Sequence, residues 1–195
     1  MKNLEEKFWL WFSENHGHIY SNIGDTSFQK EIFESINVQL NKIDENLTFE
    51  FSPIRENGVR EFSISADGME ESFPNVRKLI KLSPNLENWK FNAFRQRMPN
   101  DNYVINYDGY TIGYDDIYYR YSTSNNELGI ELNIRNYDES GKMQNAIYIL
   151  LDGLLGEYDV TMTIDWIDWK KLDENEMKSL QKLVKLRDLV DAWKK

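Results

Sequence analysis

The chain has 195 residues, which is enough for one folded domain that hides about 70% of its unfolded surface. Apolar residues make up 41% and charged residues 29%, a balance that excludes a disordered or membrane-embedded chain. There is no cysteine, so disulfides, thiolate catalysis and cysteine zinc sites are excluded. The net charge of −10 opposes binding to nucleic acid. Because Glu5 and Glu6 interrupt any signal-peptide pattern, we expect a cytoplasmic protein that binds neither nucleic acid nor membranes.

Apolar residues at spacings of three and four predict five helices. A capping cluster at residues 25–27 begins the second helix, and Pro74 places the start of the third near Phe73. Gly156 follows the fourth helix as its C-cap. The predicted helices cover residues 3–14, a segment from 25 to about 43 with Phe28 on its inner side, and residues 69–82, 142–155 and 173–193.

Alternation of apolar and polar residues predicts the strands. Asn57-Gly58 lies between the first two, which indicates a hairpin, and Ser124-Asn125-Asn126 indicates a second hairpin. The predicted strands cover residues 47–52, 61–66, 89–97, 117–122, 128–136 and 158–166, with shorter candidates at 103–105 and 110–112.

These elements predict an α+β fold with an antiparallel-rich mixed sheet and helices packed mainly on one face. The order strand, strand, helix, strand occurs twice at a shift of 70 residues, which is compatible with two ββαβ units. In each unit we expect the first strand to insert between the other two, as in ferredoxin-like folds. The predicted organisation is a single domain, 1–195. It consists of a helical N-terminal segment (1–44), a first ββαβ unit (45–98), a loop-rich connection (99–116), a second ββαβ-like unit (117–169) and a C-terminal helix (170–195).

Several short motifs suggest a family. They read EFSISADG at 61–68, Phe73-Pro74-Asn75-Val76, then Trp89 with AFR at 93–95, and LLDGLLGEYD at 150–159. With these motifs the chain resembles a family of uncharacterised bacterial proteins of about this length. The resemblance implies a bacterial, cytoplasmic protein built as one unit. It implies no activity, and no catalytic residue carries over from it.

The polar side of the predicted sheet is the first candidate for function. Alternation sends the apolar strand residues to one face and a set of charged and polar residues to the other. Tyrosine and arginine are residue types that anchor protein interfaces. We therefore predict a binding face that includes Glu50, Glu61, Tyr118, Arg120, Glu131 and Arg135. Simple solvation of this face is the alternative interpretation.

Three other groups could carry chemistry. Arg95 and Arg97 alternate on one strand and could bind an anionic ligand, although such arginines more often pair with the protein's own acids. His16 and His18 could begin a metal or general-base site, but a polar loop between two helices accounts for them. Asp165 and Asp168 flank Trp166 at a strand end, where the plain interpretation makes Trp166 a core residue.

Three functions stay open on these observations. The first is a non-catalytic acidic binding or regulatory protein that acts on a protein partner, for which the charge favours a basic one. An immunity-type inhibitor of a basic toxin belongs to this class. The second is a small hydrolase or small-molecule enzyme that uses carboxylates or the His16 and His18 loop, and the third is an anion-binding module that uses Arg95 and Arg97. We expect no metal and no cofactor, and the sequence leaves the oligomeric state open.

Overall fold

A computed structural model of the chain describes residues 2–193. These residues form helices together with mixed and antiparallel sheets, so the predicted α+β class is confirmed. The chain divides into two compact units, Met1–Arg95 and Gln96–Lys195. The single-domain organisation stays a prediction, because these units are defined by compactness and not by independent folding.

The first unit contains three helices and a three-stranded sheet, which we call the first sheet. Asn3 caps α1 in a capping box with Glu6, and Asp25 caps α2 by accepting a hydrogen bond from the Ser27 N–H. The elements are α1 (Leu4–Asn22), α2 (Thr26–Leu40), β1 (Thr48–Phe51), β2 (Arg60–Ser65), α3 (Phe73–Lys81) and β3 (Trp89–Ala93).

The strand order in the first sheet is β1-β2-β3, with β1 antiparallel and β3 parallel to β2. The predicted insertion of the first strand between the other two is therefore wrong. The central position of β2 places Phe62 beside Phe51 and Phe91, and Phe12 of α1 contacts the rings of Phe62 and Phe91. This strand order therefore brings aromatic rings from all three strands together in one core. Asn57-Gly58 lies in the connection between β1 and β2 as predicted, and Gly58 has a φ of 77°.

Two sequence predictions fail in the first unit. Helix α1 continues to Asn22, so His16 and His18 lie on a helix and not in a loop. Phe28 is 39% exposed, because the buried row of α2 begins one turn later. That row consists of Ile32, Ile36 and Leu40.

The second unit contains three helices and two sheets. The first of these sheets is a hairpin whose turn, Asp108-Gly109, has two positive φ angles of 46° and 90°, as a type I′ turn requires. The four-stranded sheet, which we call the second sheet, has the order β8-β7-β6-β9. The elements are β4 (Val104–Tyr107), β5 (Tyr110–Gly113), β6 (Ile117–Ser124), β7 (Glu127–Ile134), α4 (Gly141–Leu155), α5 (Glu157–Thr163), β8 (Trp166–Lys171), β9 (Gln181–Lys182) and α6 (Leu186–Trp193).

The second sheet repeats the pairing of the first. Strand β6 is antiparallel to β7, α4 follows, and β8 returns parallel to β7 on its other side. Both units therefore contain two antiparallel strands, helical structure and a third strand parallel to the second, although in the second unit α5 also lies between α4 and β8. The second sheet adds β9, which pairs antiparallel with β6.

One face of the second sheet forms the core of this unit. Alternate residues of β6 from Ile117 to Tyr119 and of β7 from Leu128 to Ile134 pack with residues of α4 and of the C-terminal segment, and all of these strand residues are 1% exposed or less. They include Ile117, Tyr119, Leu128, Ile130, Leu132 and Ile134 from the strands, Ala146, Ile147, Leu150, Leu151 and Leu154 from α4, and Leu183, Leu186 and Val190 from the end of the chain.

Two further predictions fail here. Most of the predicted strand 158–166 is helix α5, in which Val160 is buried and Met162 is 46% exposed. Within the predicted helix 173–193, the α-helix begins only at Leu186. The Asp173 side chain accepts hydrogen bonds from the backbone and side-chain N–H groups of Asn175, which favours a turn over a helix. Positions 194–195 of the predicted segment 170–195 lie outside the described residues.

Candidate functional site

The outer face of the second sheet is the face opposite α4. Strand pairing places the same-face residues of three neighbouring strands in rows. Arg120 is opposite Glu131 and Glu131 is opposite Asp168, while Tyr118 is opposite Asn133. Three of the six predicted binding residues, Tyr118, Arg120 and Glu131, therefore lie in these rows, and Arg135 directly follows β7. The structure adds Trp166, Asp168 and Lys170.

Glu131 is the centre of the polar network on this face. Its carboxylate accepts hydrogen bonds from Arg120 Nε at 2.6 Å, Lys170 Nζ at 2.5 Å and Asn133 Nδ2 at 3.0 Å. The side chain is 14% exposed. Burial alone would raise its pKa, but the hydrogen bonds from Lys170, Asn133 and Arg120 hold the pKa at about 2. The carboxylate therefore stays ionised and fixes the two cations beside it.

This network predicts a stability contribution that depends on pH. Since the pKa of Glu131 falls from an ordinary 4.5 to about 2 on folding, the contribution is present above about pH 4.5 and is lost as the pH falls toward 2. With solvent screening it amounts to about 1–2 kcal/mol at neutral pH. We expect Glu131→Gln to lower the free energy of unfolding by that amount at pH 7, in denaturation with urea.

The same measurement at low pH supplies the check. The difference between wild type and Glu131→Gln should shrink steadily between pH 4.5 and 2. Glu127→Gln on the same strand is the matched control, because Glu127 is exposed at the strand end. A difference for Glu131→Gln that is unchanged with pH would contradict the network.

Trp166 is the exposed aromatic residue of the outer face. It is the first residue of β8 and lies opposite Gly129, whose missing side chain leaves room for the indole. A Cβ atom at Gly129 would lie 1.7 Å from the indole Cε2. The ring is 41% exposed although it is seated directly on the backbone of β7. It is therefore a fixed apolar surface surrounded by charged neighbours.

The sequence alone missed the role of Trp166. The motif 165–169 was interpreted as a strand end with Trp166 in the core, but the strand begins at Trp166 and the ring faces outward. Asp165 accepts a hydrogen bond from the backbone N–H of Leu128 at 2.6 Å and so fixes the start of the strand. Gly129 in the neighbouring strand is the one sequence signal that could have indicated space for the indole of Trp166 on this face.

The connection from β8 to β9 must pass from one edge of the second sheet to the other. It crosses the outer face, because Glu176 pairs with Arg120 at 3.1 Å and Glu174 pairs with Arg135. Arg135 also lies 3.6 Å from Asp116. Residues 173–180 therefore occupy the side of the face near Arg135, and Asn133 is 4% exposed. The side near Trp166 and Ser122 stays exposed.

Glu50 and Glu61 do not belong to this face. They lie on β1 and β2 of the first sheet, so the six predicted residues do not form one surface of one sheet. Glu61 pairs with Lys90 at 3.4 Å and Arg55 at 3.9 Å. Sheet membership is set by pairing between distant strands, which alternation within a strand cannot reveal.

The two arginines proposed for an anion are each held by acids of their own unit. Strand β3 ends at Ala93, so Arg95 and Arg97 do not alternate on a strand. Arg95 pairs with Asp67 and lies 3.8 Å from Glu50. Arg97 donates two hydrogen bonds to Asp191, at 2.8 and 2.9 Å, and it lies 3.4 Å from Asp159. The bidentate Asp191 contact raises the pKa of Arg97.

His16 and His18 do not form a shared site, because residues two apart on a helix point to different sides. The Asn22 side chain lies 3.1 Å from His18 Nδ1, and the His18 ring contacts Phe28 with the centroids 5.8 Å apart. Within residues 2–193, no three histidine or acidic residues are grouped to hold a metal ion. None of the helices described there is both long enough and apolar enough to cross a membrane.

Comparison with known proteins gave no relative: no protein family, curated protein or solved structure matches the chain. The resemblance in the motifs at 61–95 and 150–159 therefore stays a prediction.

Proposed function

We propose that the protein is a non-catalytic binding protein of the cytoplasm that engages a basic protein partner on the outer face of the second sheet. The observation that carries this proposal is the Trp166 ring, which is fixed on Gly129 and still 41% exposed. Tryptophan and arginine are the residue types most enriched among the residues that dominate binding energy. Trp166 and Arg120 lie on this one face. On it, the row of paired residues that contains Trp166 is adjacent to the row that contains Arg120.

Rigidity makes this surface suited to binding. A side chain that is already held in one orientation loses little conformational freedom when a partner covers it. Trp166 is held by the backbone beneath it, and Arg120 is held between Glu131 and Glu176. The face therefore offers an apolar centre with charged groups in fixed positions around it.

The charge of the chain favours a basic partner. Acids outnumber bases by ten over the sequence, and Asp168, Glu174 and Glu176 add negative charge around the face. Attraction over long range raises the rate of encounter and weakens with salt. An inhibitor of a basic toxin, of the immunity type, fits this chemistry.

The test compares Trp166→Ala with Tyr121→Ala. Tyr121 is 45% exposed on β6 and lies on the face opposite to that of Trp166, so it is a matched control. A protein captured from native cytoplasm by the wild type should be retained by Tyr121→Ala and lost by Trp166→Ala. With that partner purified, Trp166→Ala should weaken the affinity by roughly 30-fold or more. Equal affinity of the two variants would contradict the proposal.

Two further variants test separately the position of the Trp166 ring and the charge of the outer face. Gly129→Ala keeps the indole but removes its seat, so it should weaken binding in the same direction as Trp166→Ala. Asp168→Lys with Glu176→Lys should slow association and flatten its salt dependence while the protein stays folded. An unchanged salt dependence in this pair would show that the charge does not guide the partner.

A further inference from the structure

Arg60 is a buried cation at one end of the first sheet. It is the first residue of β2, and only 7% of its surface is exposed. Alternation places it on the same face as Phe62 and Ile64, which is the face that packs against α1. It directly follows the loop after β1, in which residues 53–57 are exposed, so its position is close to the surface.

The guanidinium has no acidic partner in the described part of the chain. Its Nε and Nη1 atoms are buried and make no hydrogen bond to any atom of residues 2–193. The other arginines discussed for this unit differ, since Arg55 lies 3.9 Å from Glu61 and Arg95 pairs with Asp67. Desolvation lowers the pKa of Arg60, and the nearby Tyr20 opposes that shift only in part. Buried charges in proteins are normally paired and hydrogen bonded.

Aromatic residues surround this cation. The guanidinium carbon lies 5.6 Å from the centroid of the Tyr20 ring, in a cation–π contact. The Tyr20 hydroxyl donates a hydrogen bond to the Gly58 carbonyl oxygen at 2.7 Å, which fixes the ring. Trp89 is the pairing neighbour of Arg60 on β3, and its ring meets Tyr20 edge to face at 5.8 Å. A cation–π contact uses no N–H group as a hydrogen-bond donor, so Nε and Nη1 stay without an acceptor in the described residues.

We propose that Arg60, Tyr20 and Trp89 form a binding site for a small oxyanion, a carboxylate or phosphate group that takes the in-plane N–H donors of Arg60. Two edges of an arginine guanidinium, Nε with Nη2 and Nη1 with Nη2, each present two parallel N–H groups, which match two oxygens of such an anion. The desolvated surroundings strengthen this contact relative to water. Tyr20 and Trp89 supply the walls that exclude water from it.

The proposal is independent of the outer face of the second sheet. It concerns the first unit and a ligand of a different class, so either proposal can fail without the other. The ligand chemistry is shared by free phosphate and by a carboxylate group, and separate titrations distinguish them.

The experiment follows the Arg60 Nε–H signal in ¹⁵N-edited NMR spectra while sodium phosphate or sodium acetate is added to the whole chain. Sodium chloride at the same ionic strength is the reference titration. We expect a saturable shift of this signal with one of the two oxyanions and none with chloride. The anion that saturates identifies the ligand class. An Arg60 signal that moves with neither anion, or equally with chloride, would overturn the site.

Variants confirm that the response belongs to Arg60. Arg60→Gln should weaken the affinity for the oxyanion by about tenfold or more, because it removes a charged hydrogen-bond donor. Arg55→Gln is the control, because Arg55 lies in the adjacent loop and is 48% exposed. Equal weakening by the two variants would show non-specific attraction and overturn the proposal.

Stability gives a second readout that does not need the ligand. An arginine retained for binding should cost stability when no oxyanion is present, because its charge is buried without a partner. Arg60→Met should therefore unfold at the same or a higher urea concentration than the wild type in an oxyanion-free buffer. Added oxyanion should stabilise the wild type and not Arg60→Met. A lower midpoint for Arg60→Met in the oxyanion-free buffer would show that Arg60 is structural.

Discussion

Replacing Phe62 with alanine is expected to lower the free energy of unfolding by about 3–5 kcal/mol. The side chain has no exposed surface and lies at the centre of the first sheet. Its ring stacks on Phe12 at 5.1 Å and on Phe51 at 4.6 Å, and it meets Phe91 at 6.2 Å. The truncation removes all of these contacts and leaves a cavity that rings held on two strands and a helix cannot close.

Urea denaturation followed by circular dichroism measures this effect. Phe28→Ala is the matched control, since it is the same substitution at a ring that is 39% exposed on α2. It should change the free energy of unfolding by about 0.5 kcal/mol or less. Similar losses in the two variants would show that Phe62 is not the centre of this core.

The elements best predicted from the sequence are those specified by local signals. Helix α4 has apolar residues on the helical period between Ser140, which accepts the N-cap bond of Met143, and Gly156 with a φ of 86°. The hairpin turn at Asn125-Asn126 has two positive φ angles, a conformation that asparagine tolerates. In both cases the residues that end the element are visible in the sequence itself.

Other elements depend on packing against distant residues. Tyr158, Val160, Met162 and Ile164 alternate like a strand, but α5 buries Glu157, Val160 and Thr163, which are three residues apart. The two periods cannot be separated over seven residues. The position of Trp166 depended on this assignment, because starting β8 at residue 166 places that ring outside the core.

The candidate site shows the same division. Alternation in β6 and β7 predicts that Tyr118, Arg120, Glu131 and Arg135 share one face; strand pairing aligns the first three, and their role in binding stays a prediction. It could not show that β8 adds Trp166 and Lys170, or that residues 173–180 return across the face. Arg60 was missed for a similar reason: in sequence it is a polar residue at a strand end, and only burial shows that no acid lies opposite it.

Replacing Arg187 with alanine is expected to cost about 2–4 kcal/mol of unfolding free energy, although the side chain lies in the short helix α6. Arg187 is 16% exposed and joins three parts of the second unit. Its Nε donates to the Leu154 carbonyl oxygen at 3.0 Å, in the last turn of α4, where helix carbonyls lack partners. Its Nη2 donates to the carbonyl oxygens of Met98 and Asn100, at 2.9 and 3.0 Å, and Nη1 pairs with Asp101.

Only the planar guanidinium of arginine reaches these acceptors together. Arg187→Lys should therefore keep the positive charge but retain only a minor part of the stability that Arg187 contributes. Lys185→Ala is the control: Lys185 is 65% exposed and its ion pair with Asp188, at 3.4 Å, is screened by solvent. Urea denaturation gives the energies, and hydrogen exchange of residues 98–101 should become faster in Arg187→Ala than in Lys185→Ala. A single ammonium group cannot satisfy three carbonyl oxygens and a carboxylate that are spread over this distance. Full recovery of stability by Arg187→Lys would therefore mean that the charge alone holds this loop, and it would contradict the prediction.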